Sequence, residues 1–272
     1  MPYTVAEVNA VVERLWPLSG AEAWDAPGLL SGDPSASVSR ILLTVDMVGD
    51  VATEGIERGI DLIIAHHPLL LRGVSSVAED RYKGAVLASL IRANCALIAA
   101  HTNADVVESG TSAVLAQRLG LLDTAPITPG MTTTRGIGRT GKLSEPMSLG
   151  RLARTLADLL PPTASGVRVA GDYDRPVQKI ALCGGAGDSL LSEPAVLASD
   201  VYITSDLRHH PASEARENAR LRGGPALIDV SHWASEWLWL DTAAAELTAA
   251  LPGIAIAVSE TRTDPWDFSI VQ

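Results

Sequence analysis

His66 and His67 stand side by side after the apolar run Asp61-Leu62-Ile63-Ile64-Ala65. His101 opens the segment His101-Thr102-Asn103-Ala104-Asp105, and His232 precedes Glu236 by four residues. The chain has six histidines, so four of them fall in three short segments that also carry carboxylates. Imidazole nitrogens and carboxylate oxygens are the donors of zinc, iron, manganese and cobalt sites. The chemistry announced by this pattern is metal binding at a centre assembled by folding.

Each segment has its own logic. Pro68 pushes His67 toward an extended conformation, and successive side chains on a straight strand face opposite ways, so both imidazoles reach one cluster only if the chain bends after Ala65. Asp105, four residues beyond His101, would by itself read as a helix N-cap, and Thr102 and Asn103 as local hydrogen-bonding residues. The four-residue spacing of His232 and Glu236 puts both on one face of a helix. Trp233, Trp237 and Trp239 make that helix too apolar to be fully solvated, with Trp233 and Trp237 on an adjacent face read as core. A second pair, His209-His210, precedes Pro211 and reads as the start of a surface helix, with Asp206 and His209 as weaker candidates for lining a pocket. Cys183-Gly184-Gly185-Ala186-Gly187-Asp188 reads as a tight strand-to-helix turn whose amides could face an anion, but it lacks the Lys-Ser/Thr ending of a nucleotide loop. No serine elbow, Cys-His nucleophile or dinucleotide fingerprint accompanies it.

The elements that must position these residues alternate in type. Helices are expected over Val5–Leu15, Val51–Arg58, Tyr82–Ala93, Thr111–Leu119 and Leu149–Leu160. Strands are expected over Arg40–Asp46, Asp61–Ala65, Ala96–Ala100, Gly166–Ala170, Gln178–Cys183 and Asp200–Thr204. Strand and helix in alternation mean an α/β fold with parallel pairing, and the histidines fall at the carboxyl ends of strands, where such sheets collect ligands. The Thr-, Gly- and Pro-rich stretch Pro126–Gly141 suits a domain junction. Lys179-Ile180-Ala181-Leu182 precedes Asp200-Val201-Tyr202-Ile203 by 21 residues, as Arg40-Ile41-Leu42-Leu43 precedes Asp61-Leu62-Ile63-Ile64, a faint sign of duplication. In that register Ser205 and Asp206 stand opposite His66 and His67.

Composition narrows the function classes. Hydrophobic residues make up 47% and charged ones 19%, the balance of a well-packed globular protein, and 272 residues suit two domains. A net charge of −11 disfavours nucleic-acid partners, which are held by clustered Lys and Arg. The two cysteines, Cys95 and Cys183, lie in apolar stretches and read as buried hydrophobes, which argues against disulfides and zinc-thiolate sites. No basic leader precedes an apolar stretch and no run is long enough to span a bilayer, so the expectation is a cytoplasmic protein without a membrane partner.

Taken together, Ala23-Trp24-Asp25-Ala26-Pro27-Gly28-Leu29, Ile63-Ile64-Ala65-His66-His67-Pro68-Leu69, His101-Thr102-Asn103-Ala104-Asp105, Gly138-Arg139-Thr140-Gly141, Asp200-Val201-Tyr202-Ile203-Thr204 and His232 with Ser235-Glu236 give the chain a family likeness. Over nearly its whole length it resembles the dinuclear-metal-centre hexameric proteins, often labelled GTP cyclohydrolase 1 type 2 homologues and related to the NGG-interacting factors. The resemblance implies two related α/β domains: residues 1–127 completed by 228–272, and 128–227 as the second. It implies that His66, His67, Asp105, His232 and Glu236 hold two divalent metal ions, with Glu236 bridging, and that the chain assembles into a homohexameric ring with the metal sites facing inward. Two positions depart from the pattern: Ala26 where the family usually has Asn, and Ser205 where it commonly has Gly.

Five side chains cannot saturate two ions, so open positions would hold water able to attack carbon or phosphorus. The function implied is a metal-dependent hydrolase acting on a nucleotide-like substrate, a purine nucleotide by the family label. His101 would serve as a catalytic residue that moves a proton or orients a ligand. A second reading stays open, a non-catalytic ring that binds or delivers metal or serves as a scaffold. A transcription adaptor finds no support in a chain without a basic stripe.

Overall fold

The computed structural model describes residues 3–130 and 132–270. In chain order the elements are β1 (Tyr3–Thr4), α1 (Val5–Leu15), β2 (Gly28–Ser31), β3 (Ser37–Val38), β4 (Arg40–Thr44), α2 (Gly49–Glu57), β5 (Leu62–Ala65), α3 (Tyr82–Arg92), β6 (Ala96–Ala99) and α4 (Thr102–Asp105). There follow α5 (Thr111–Arg118), β7 (Leu122–Ala125), β8 (Thr128–Pro129), β9 (Gly136–Ile137), β10 (Arg139–Ser148), α6 (Leu149–Leu159), β11 (Arg168–Ala170) and β12 (Pro176–Ala186). The last are α7 (Pro194–Leu197), β13 (Val201–Ser205), α8 (His209–Arg222), β14 (Ala226–Val230), α9 (His232–Ala250) and β15 (Ala255–Val258). Their contacts divide the chain into two units, 1–104 with 240–263 and 105–239 with 264–272.

The first unit is a five-stranded mixed sheet in the order β15-β4-β5-β6-β2. β15, β4, β5 and β6 run parallel, and β2 closes the edge antiparallel to β6. β5 and β6 are buried along their whole length, which is why they read as unbroken apolar runs rather than alternating ones. Leu42, Val51, Ile63, Leu90 and Leu97 join the sheet to α2 and α3 in one core. α1 begins at a reciprocal cap: Thr4 Oγ1 accepts from the Glu7 amide at 3.2 Å and Glu7 Oε2 accepts from the Thr4 amide at 2.7 Å. Its Val5, Val8, Val11 and Val12 recur at helical spacing and are buried. As expected from the family likeness, a strand from the C-terminal segment completes this sheet.

The second unit is a six-stranded mixed sheet in the order β11-β14-β13-β12-β10-β7, with β12, β13 and β14 parallel and β11, β10 and β7 antiparallel to their neighbours. Ala181, Tyr202, Leu227, Val196 and Ile127 belong to its core. The stretch from Pro126 to Gly141, read as suiting a domain junction, carries regular structure: β8 and β9 pair within it, and β10 begins there and pairs with both β7 and β12. One expectation needs correcting, because β12 does not stop at Cys183. It runs through Gly184 and Gly185 to Ala186, with its register against β13 shifting between Leu182 and Ala186, so the glycines form an irregularity within a strand rather than a strand-to-helix turn. Among the described residues no helix is long and apolar enough to cross a membrane.

Candidate metal centre

In the first unit the carboxyl ends of β5 and β6 bring three imidazoles together. The His66 and His67 amides continue the ladder past β5, donating to Thr44 O at 2.9 Å and Val45 O at 2.8 Å, and the chain then bends as the histidine pair required. The His66 and His67 rings lie 5.0 Å apart, each 5.2 Å from the ring of His101, and one ligand nitrogen of each falls within 4.8 Å of the others. His66 is buried; His67 and His101 are partly exposed.

The Nδ1 partners decide which nitrogen can bind metal. His66 Nδ1 lies 2.8 Å from the carbonyl of Ala100, a group that only accepts, so Nδ1 carries the proton and Nε2 the lone pair. His67 Nδ1 meets Asp46 Oδ1 at 2.7 Å and His101 Nδ1 meets Asp25 Oδ1 at 2.8 Å, which impose the same tautomer when the carboxylates are ionised. Burial would raise the Asp25 pKa, but hydrogen bonds from Thr102 and His101 and the His101 charge outweigh it and hold the carboxyl below its ordinary value. Asp46 is itself steadied by the Thr263 hydroxyl. The hydrogen-bonding read for the His101 segment is present: Asn103 accepts from the His101 amide at 2.9 Å and donates to Trp16 O at 2.7 Å.

In the second unit α9 opens with His232, and the four-residue spacing places His232 Nε2 3.0 Å from Glu236 Oε1. Glu236 is 3% exposed, deep enough that its charge needs a cation or a proton nearby. His232 Nδ1 meets Asp206 Oδ2 at 2.7 Å, repeating the carboxylate-imidazole pairing of the first unit. Burial works against a charged His232, but Glu236 and Asp206 overcome it and raise its pKa well above the ordinary value. The same hydrogen bond, helped by the charge on His232, lowers Asp206 against the effect of burial.

Asp105 closes α4 and accepts a hydrogen bond from the Thr111 hydroxyl, so its carboxylate is not acting as an N-cap. Asp105 and Glu236 both act on the Cys183 thiol, which burial first of all and these two charges push up to about 12. Cys183 therefore stays a thiol, and the donors of this unit are nitrogen and oxygen. Arg139, from the Gly138-Arg139-Thr140-Gly141 segment, is 4% exposed. Its guanidinium donates to the carbonyls of Gly136 and Gly138 at 2.7 Å and of Val107 at 2.8 Å. It thereby ties the start of β10 to the chain leaving Asp105.

Gly184 and Gly185 do not await an anion. Their amides donate to Ser112 Oγ and Ser235 Oγ, each at 3.0 Å. What Gly185 supplies is room: at φ +72° its missing Cβ would fall 2.3 Å from Glu236 Oε1 and 3.2 Å from His232 Nε2. Trp233 is buried, as read from the sequence, and so is Trp239, but Trp237, read with Trp233 as core, is only partly buried. His209 and His210 begin α8 and pack ring against ring at 5.2 Å, the surface helix start read from the sequence.

The structure thus groups His66, His67 and His101 in one unit and His232 with Glu236 in the other, where Asp105 also lies. The anchoring carboxylates Asp25 and Asp46 escaped sequence reasoning, and Asp206 was read only as a weak pocket candidate. All-nitrogen-and-oxygen donors, Nδ1-anchored imidazoles and a glycine that leaves open the space beside Glu236 fit a divalent metal.

Comparison with known proteins identifies the family. The model of the Duf34/NIF3 (NGG1p interacting factor 3) family matches residues 3–265. A Streptomyces coelicolor protein named GTP cyclohydrolase 1 type 2 homolog is 42% identical over 269 residues, 96% of this chain and 93% of that one. A crystal structure of a Staphylococcus aureus hypothetical protein is similar with a TM-score of 0.87 and 27% identity, covering 99% of this chain and all of that one. A Bacillus cereus protein related to NIF3 shares the fold with a TM-score of 0.89 at 22% identity, covering 99% and 100% of the two chains.

Proposed function

Because the chain belongs to the Duf34/NIF3 family, we propose that it is a dinuclear metal protein in which His66, His67, Asp105, His232 and Glu236 hold two divalent ions, working as a metal-dependent hydrolase on a nucleotide-like substrate. The observation that carries the reading is the common anchoring of the three histidines in that set through Nδ1, His66 to Ala100 O, His67 to Asp46 and His232 to Asp206, which leaves Nε2 of each to serve as the ligand atom. Nitrogen and oxygen donors suit zinc, iron, manganese or cobalt. Ions of this kind supply Lewis-acid polarisation of an electrophile and activation of water.

The protein's own contribution is orientation and proton handling. Asp46, Asp25 and Asp206 fix the rings they hold, and Glu236 is the carboxylate we place between the ions. His101, backed by the buried Asp25, is placed to orient a ligand or carry a proton to and from the reacting group. We further propose the homohexameric ring of the family likeness, with sedimentation of the untagged protein as its check.

The purine nucleotide assignment rests on the name GTP cyclohydrolase 1 type 2 homolog carried by the Streptomyces coelicolor relative. Its test is turnover of GTP and other nucleotides by protein reconstituted with each metal. Activity that rises with occupancy and falls with chelation is the expected result. Full occupancy without turnover would replace the hydrolase by a metal-holding or metal-delivering ring.

A further inference from the structure

One side chain beside the histidine cluster is spent on neither folding nor metal anchoring. Trp24 is 60% exposed, yet its indole packs edge-to-face on His101 with ring centroids 5.7 Å apart and planes at 78°. Single exposed hydrophobic residues are ordinary on a protein surface. What distinguishes this one is how firmly its backbone is held.

Trp24 lies in a turn closed by the Asp25 amide donating to Glu22 O at 2.9 Å. Both ends of the turn are fastened to Thr102, the residue after His101. The Glu22 amide donates to Thr102 Oγ1 at 3.0 Å, and Asp25 Oδ2 accepts from the Thr102 amide at 3.0 Å and from its hydroxyl. The Asp25 side chain has no exposed surface, while its other oxygen holds His101 and the Ala26 amide. A loop without regular structure is therefore fixed by a buried carboxylate, and the residue so presented is a bicyclic aromatic left in solvent.

We propose that Trp24 is a stacking platform for the planar heteroaromatic ring of a ligand whose reacting group lies at the His66–His67–His101 cluster. This rests on the metal-centre reading above and names the ligand class it serves. The distances suit the task, because the His101 ring that contacts Trp24 is 5.2 Å from both His66 and His67. A ring lying on the indole is thus within reach of the cluster through a short linker. Stacking requires a π face but no particular hydrogen-bond pattern, so the platform selects planar heterocycles as a class, and an indole overlaps best with a bicycle such as a purine. Holding the indole in place before binding removes the entropy cost of ordering it.

The test uses metal-loaded parent, W24A and W24F, titrated calorimetrically with guanosine and with ribose 5-phosphate as a ring-less probe. Metal content and sedimentation are measured on the same samples. Guanosine affinity should fall about tenfold or more in W24A and stay within about threefold in W24F. Affinity for ribose 5-phosphate, metal per chain and assembly size should not change. Equal guanosine affinity in parent and W24A, no guanosine binding by the parent, or a change in assembly size in W24A would each overturn the platform. A parent that carries no metal but binds guanosine in a Trp24-dependent way would uphold the platform and overturn the metal reading instead.

Discussion

At the carboxyl end of β5 the chain offers His66 and His67, and at the matching positions at the carboxyl end of β13 it offers Ser205 and Asp206. The frames behind them share a set of corresponding hydrogen bonds. Ile41 pairs with Leu62 in the first sheet and Ile180 with Val201 in the second, at the same sequence separation. Asp61 accepts from the amides of Ser39 and Arg40, as Asp200 accepts from those of Gln178 and Lys179. The Ala96 amide then donates to Asp61 O and the Ala226 amide to Asp200 O, each at 2.9 Å.

The likeness read from spacing therefore extends to the side chain that ties the strands together. What differs is the cargo. The first frame presents three imidazoles, two of them held by carboxylates. The second presents one imidazole held by Asp206, a non-glycine residue at φ +55°, together with a buried glutamate. At one further pair of matching positions the first frame has Asp46, the anchor of His67, and the second has Gly185, whose lack of a side chain makes room for Glu236. A common scaffold has been loaded with nitrogen donors on one side and mainly oxygen donors on the other.

The largest effect that would break this comparison is expected at Gly185. Alanine there meets both a left-handed φ and the Glu236 carboxylate, so G185A should lose most of its bound metal. Metal retention at the parent level, by elemental analysis, would mean that the second frame does not need the space. The shared tie comes next. D61A and D200A should each destabilise the protein by about 1–3 kcal/mol, the worth of hydrogen bonds to a charged group, as read from urea unfolding. A loss confined to one of them would show that the two frames are alike in drawing only.

A smaller effect sharpens the contrast, because among the described residues only the first sheet is closed by a strand from the far end of the chain. After β15, Ser259 and Thr261 donate to Glu54 Oε2 at 2.6 and 2.9 Å. Burial would raise the Glu54 pKa, but these hydroxyls and Arg58 bring it below its ordinary 4.5. A depressed folded pKa contributes stability above the unfolded value that is lost as pH falls through the folded one. E54Q should therefore be less stable than the parent at pH 7, with the gap narrowing below about pH 4.5 as the parent's Glu54 protonates. A gap that stayed constant down to pH 3 would contradict the role given to this carboxylate.

Much of this was legible in the sequence, for identifiable reasons. β4, β5, β6, β12 and β13 announce themselves as apolar runs because both faces are covered, and α1 and α6 by their spacing. Three of the antiparallel flanks did not: β7 is exposed along its whole length, β2 is half-buried throughout, and β10 mixes glycine, lysine and serine without alternation. α8 buries no residue, so only its histidine pair hinted at a helix start. In the site, histidine is rare enough to stand out. Its anchors are carboxylates among 32 acidic residues, and Asp25 lies 76 positions from His101. Only the fold could say which of them mattered.

The central claim, that these anchored histidines and carboxylates form a two-metal centre, is tested most directly by metal content per chain. The measurement is elemental analysis of protein purified without a histidine tag, alongside H66A and E236A. About two ions per chain in the parent is expected, with most of the metal lost from both variants while circular dichroism shows each still folded. No metal in the parent even after reconstitution, or two ions retained in both variants, would contradict it.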